Sequence, residues 1–123
     1  MYYALLCYHS EDVVCAWSKE EDAAVMAKLG VVQERLTKAG KLGPVARLMP
    51  TTAATTLRKD HEPPLVIDGP FAETKEQLLG FFIIDCTSLE EAIGIARDLG
   101  DANPGGAYEI RPVSMFWPGS GSP

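Results

Sequence analysis

A chain of 123 residues suits one domain, and 46% apolar against 23% charged residues excludes a disordered chain. A formal net charge of -6 argues against a general nucleic-acid or anionic-membrane surface, because phosphate binding relies on clustered Lys and Arg. Cys7, Cys15 and Cys86 form no Cys-x-x-Cys pair and no zinc-like spacing with His9 and His61; no metal cage is expected, and reduced thiols suit a cytoplasmic protein.

The first predicted element is a strand over residues 2–8, too short for a membrane span and without the basic leader of a secretion signal. Ser18-Lys19-Glu20-Glu21 is a Ser-x-x-Glu capping box, in which serine and glutamate satisfy free amides at a helix start. The helix it opens carries Val25, Leu29, Val32 and Leu36 at helical spacing and stops at Gly40; Gly30 inside it predicts a bend or close packing. A strand follows at 45–49. Short strands at 55–59 and 65–68 flank the polar turn His61-Glu62-Pro63-Pro64, and an apolar strand occupies 81–86. A second box, Ser88-Leu89-Glu90-Glu91, opens a helix with Leu89, Ala92, Ile93, Ala96 and Leu99 that stops at Gly100. Asn103-Pro104-Gly105-Gly106 reads as a plain turn into a last strand at 107–113. Residues 1–116 then form the domain and 117–123 a flexible tail, with Trp117 anchored on the core or on a partner.

Strand, helix, strand occurs twice, with residues 51–79 inserted between the copies. The predicted class is α+β: a ferredoxin-like βαβ, a β-hairpin insertion, then a second βαβ, with both helices on one face of an antiparallel sheet. The strands at 2–8 and 81–86 are apolar on both alternating faces, so a second cover is expected over the face without helices. A second copy of the chain, giving a homodimer, is the simplest cover.

Residues 68–76, Asp68-Gly69-Pro70-Phe71-Ala72-Glu73-Thr74-Lys75-Glu76, concentrate ionisable groups just after the run Leu65-Val66-Ile67. Asp68 is the candidate general base, at the mouth of a strand expected to be buried, where partial desolvation raises a carboxyl pKa. Lys75 is the candidate for holding an anionic small molecule or oxyanion, with Glu73 and Glu76 orienting it or sharing a proton. The same string also reads as a turn followed by the exposed first turn of a short helix. Arg47, Arg58 and Arg111 interrupt strand patterns and are candidate anion ligands, each alternatively paired with a carboxylate such as Glu109 or Asp68. His9 ends the first strand and is a candidate proton shuttle or a loop cap, whereas His61 suits an exposed turn. No dinucleotide fingerprint, Walker loop or His-Glu-x-x-His occurs, and no cofactor is expected.

The nine-residue string, with Gly80-Phe81-Phe82 and the closing Glu109-Ile110-Arg111-Pro112-Val113, resembles the YCII-related family, in the subgroup called after its Asp-Gly-Pro-Phe string. The resemblance implies a dimeric α/β barrel of ferredoxin-like halves with the string lining a cleft. It also implies that such proteins are often encoded beside extracytoplasmic-function sigma factors, so the alternative to an enzyme or enzyme-like binder is a regulatory module with a sigma factor as partner. Relatives outside the subgroup have a proposed histidine–aspartate pair with the histidine on the first helix. The helix predicted at 18–39 has no histidine, so that chemistry does not carry over.

Overall fold

The structure is a computed structural model that describes residues 1–119. Two helices pack on one face of a four-stranded sheet, built from β1 (Tyr2–His9), β2 (Leu42–Arg47), β5 (Gln77–Asp85) and β6 (Ala107–Pro112). The strand order is β2-β5-β1-β6 and each neighbour pair is antiparallel. Helix α2 (Lys19–Lys38) links β1 to β2 and helix α3 (Leu89–Ala102) links β5 to β6. Each unit therefore straddles a strand of the other, an arrangement consistent with a ferredoxin-like α+β sandwich.

Alternation decides what the helices cover. Tyr3 and Leu5 of β1 and Phe82 and Ile84 of β5 are buried under Leu29, Val32 and Leu36 of α2 and Ala92, Ile95 and Leu99 of α3. The two helices are tied to each other by Arg35 and Asp98 at 3.1 Å, and Lys41, just ahead of β2, bonds Glu91 of α3 at 2.5 Å.

The first capping box forms in full: the Ser18 hydroxyl accepts from the Glu21 N–H at 3.0 Å, and the Glu21 carboxylate accepts from the Ser18 N–H at 2.9 Å. Gly40, at φ 70°, ends α2 in a left-handed residue that lets the Lys41 N–H reach the Leu36 carbonyl. The second box forms by half. Ser88 accepts from the Glu91 N–H, but the Glu91 carboxylate divides between the Thr87 N–H and the Lys41 ammonium. These two donors hold the Glu91 carboxyl below the usual carboxylate range, the lysine bond first.

Several expectations are corrected. Helix α3 does not stop at Gly100 but runs on to Ala102, whose side chain is buried in the core. Gly30 is exposed and nothing lies within 4 Å of where its Cβ would be, so close packing does not explain it. Residues 73–76 form no helix. A short helix absent from the sequence reading, α1 (Glu11–Val14), follows β1 directly.

The inserted segment forms a separate two-stranded ribbon of β3 (Thr55–Arg58) and β4 (Leu65–Asp68). The expectation that β4 is buried is overturned: its four residues are all exposed, because it pairs with β3 alone and lies outside the main sheet. On the sheet face away from the helices, Phe116 stacks on Tyr2 with ring centroids 4.3 Å apart, while Trp117 is exposed rather than anchored on the core. The expected tail extends past residue 119, outside the described residues.

Candidate functional site

A cavity of about 110 Å³ opens between the sheet and α2, near the end of β1 where a register shift falls between Cys7 and Tyr8. Its walls are mainly apolar, from Val25, Met26 and Leu29 of α2, Phe82 of β5, Val45 of β2 and Trp17. Gly80 of β5 belongs to the same wall. A Cβ there would collide with the Ala46 carbonyl oxygen of β2, so only glycine lets these two strands approach at this point.

Polar groups meet at this cavity from four strands and helices. His9 closes β1, and its Nδ1 accepts the Ser10 N–H at 2.7 Å, so the neutral imidazole carries its proton on Nε2. The ring packs against Gly105 and Gly106, whose φ values of 83° and 73° exclude most side chains and where a Cβ would strike the imidazole. Those glycines are more than a plain turn: they make the seat of His9. Trp17 stands edge-on to the same ring at 6.4 Å. Arg47 of β2 and Asp22 of α2 face each other as a fork, Nη2 to Oδ1 at 2.9 Å and Nη1 to Oδ2 at 3.4 Å. Tyr108 accepts from the Asn103 side-chain amide at 3.1 Å, and burial raises the pKa of its phenol. Burial also pushes the Cys7 thiol up to about 12, which makes it an inert wall at neutral pH.

A second, wider groove of about 700 Å³ lies beside residues 69–75. Glu73 and Lys75 line it, together with Glu11, Asp12 and Cys15 from the segment after β1. Three carboxylates against one ammonium give this groove a field that disfavours an anion. The loop is held by a chain of bonds: Gln77 accepts the Glu11 N–H at 2.9 Å and donates to the Thr74 carbonyl at 2.5 Å. The Glu11 carboxylate in turn accepts from the Thr51 N–H at 2.6 Å and from its hydroxyl at 2.5 Å. The segment at 11–17 is thereby a wall common to both spaces, with Val14 and Trp17 on the cavity and Glu11, Asp12 and Cys15 on the groove.

The eight residues singled out from the sequence fall in separate places. His9 and Arg47 share the cavity, and Glu73 and Lys75 share the groove. Asp68 lies on the exposed ribbon opposite Thr55, and Glu76 is exposed, its carbonyl accepting from the Thr74 hydroxyl. The arginines do not cluster. Arg58 pairs with Asp60 at 3.1 Å on the ribbon, Arg111 pairs with Glu109 two positions away on the open sheet face, and Arg47 pairs with Asp22. Carboxylate pairing, the alternative weighed for each guanidinium, is the arrangement found, though the partners of Arg47 and Arg58 are not the ones named.

Sequence reasoning missed Asp22, Trp17, Glu11 and Gln77. Asp22 follows the capping box and reads as an ordinary acid of a helix first turn; only the fold brings it to Arg47, 25 positions on. Gln77 had a usable signal, a polar residue at the junction of a charged loop and an apolar strand.

A protein of Rhizobium meliloti (strain 1021), described as uncharacterized, is 62% identical over 120 residues, covering 97% of each chain. Since the YCII-related domain also matches residues 1–117, a span that includes the sheet, the cavity and the groove, the chain belongs to the YCII-related family.

Proposed function

We propose that this protein is an enzyme-like binder of a compact, mainly apolar small molecule, held in the cavity between the sheet and α2. The single observation that carries the reading is the convergence of His9 and Arg47 on a mainly apolar, preformed space. His9 offers an Nε2–H as a donor or as a proton to hand over, with its tautomer set by the Ser10 amide. Arg47 supplies positive charge at the same wall. The Asp68-to-Glu76 string supports a place in the Asp-Gly-Pro-Phe subgroup; in this reading it frames the second groove, with Lys75 as the cation there and Asp68 outside it. Three free cysteines support a cytoplasmic setting.

The working unit in this reading is a homodimer closing into an α/β barrel. What supports it is apolar surface that a single chain leaves open: Leu57, Val66 and Ile67 on the ribbon and Phe71, 76% exposed, beside it.

A thermal-shift screen of small metabolites on wild type, Val25→Phe and Lys75→Ala tests the site. Ligands that raise Tm in wild type and Lys75→Ala, but not in the cavity-filling Val25→Phe, are expected. Ligands lost in Lys75→Ala and kept in Val25→Phe would place binding in the groove instead.

A further inference from the structure

The two charged side chains at the cavity already form an anion site with an occupant. Asp22 presents its carboxylate to Arg47 in a fork, 2.9 Å and 3.4 Å, the geometry by which a guanidinium takes any carboxylate. Asp22 sits in the first turn of α2, where the helix dipole adds to the attraction for negative charge. Both side chains remain open to water, Arg47 by 53% and Asp22 by 37%, and pairs so exposed are weakly held. Behind them lies an apolar space of about 110 Å³, smaller than the roughly 150 Å³ cavity that takes benzene.

We infer that the cavity selects a small monocarboxylate whose apolar body enters the space while its carboxylate replaces Asp22 on Arg47. Asp22 is then a built-in competitor, holding Arg47 in place when the site is empty and setting a threshold on anion affinity. Scaled from the six carbons of benzene in the larger cavity, the volume limits the apolar body to about four carbon atoms. This rests on the reading of the cavity as the ligand site, and the test separates the two.

Butyrate and isovalerate, with their neutral amides butyramide and isovaleramide, are titrated into the full-length protein and followed by nuclear magnetic resonance. The carboxylates are expected to bind wild type more tightly than the amides. Asp22→Asn is expected to tighten the carboxylates about two- to fivefold, the size of an exposed ion pair, and to leave the amides unchanged, which also reports an intact cavity. Arg47→Gln is expected to abolish the preference for carboxylates. Equal binding of carboxylates and amides, or no gain in Asp22→Asn, would overturn the inference and leave the cavity as a binding site. Failure of all four probes to shift cavity resonances would overturn both.

Discussion

Cys7 occupies the helix-facing side of β1 at the cavity wall, and its environment is legible as a pH effect on stability. Burial pushes its thiol up to about 12 from the ordinary 9.0, so the folded chain resists deprotonation that the unfolded chain allows. The stability contributed is complete below the unfolded value and is lost as pH rises from 9.0 toward the folded value, at no more than about 1.4 kcal/mol per pH unit for one proton. Tyr108, also raised by burial, adds a loss of the same sign at higher pH. Cys7→Ala is therefore expected to flatten the fall of Tm between about pH 9 and 11 relative to wild type, measured by calorimetry; an unchanged slope would show that the thiol titrates alike in the folded and unfolded chain. At this scale the sequence was informative about residue type and silent about company. The end of an apolar strand pointed to His9, and a break in an apolar run pointed to Arg47. Nothing local indicated that Gly105 and Gly106 would seat the imidazole or that Asp22 would meet the guanidinium, because those contacts are made by chain segments far apart.

Elements were legible where the signal is local. Both serines of the Ser-x-x-Glu boxes cap their helices, and Gly40 ends α2 as its freedom at positive φ predicts. Helix α1 was not legible because four residues are too few to show a period. Its position comes from outside it: Gln77 accepts the Glu11 N–H and holds Thr74, so one side chain fixes both the short helix and the loop after β4. This gives the charged string a structural consequence, since the segment it braces also carries Val14 and Trp17 to the cavity. Gln77→Ala removes two hydrogen bonds and is expected to cost about 1–3 kcal/mol in denaturant unfolding. It is also expected to raise amide exchange at 11–17 while leaving α2 and α3 protected. Uniformly faster exchange across the chain would show that Gln77 acts on the whole fold and not on this brace.

Across the whole molecule, the interleaved strand order followed from two capped helices between apolar strands, but the fate of the inserted segment did not. A short alternating strand reads alike whether it joins the main sheet or stands apart, so the period of β4 could not reveal that it pairs with β3 alone. Its consequence is an exposed ribbon with apolar side chains on both faces: Leu57 opposite Val66 on one, Leu65 and Ile67 on the other. A two-stranded ribbon of this kind is marginal by itself, and its exposed apolar side chains support the proposed dimer. The open face of the main sheet adds half-buried Ala4, Leu6, Phe81 and Ile83, with no helix over them. A dimer that covers these surfaces must bury on the order of 1,000 Å² or more in total. Val66 is 70% exposed, so in a lone chain Val66→Glu would shift stability by no more than about 0.5 kcal/mol. In a dimer sealed through the ribbon it would place a carboxylate in an apolar contact. Light scattering at micromolar concentration is expected to give wild type twice the chain mass and a Tm that rises with concentration, and Val66→Glu the mass of one chain and a lower Tm that does not change with concentration. A single-chain mass for wild type, or a Val66→Glu variant that keeps both mass and Tm, would mean that the ribbon faces water in solution and that the cavity of each chain works alone.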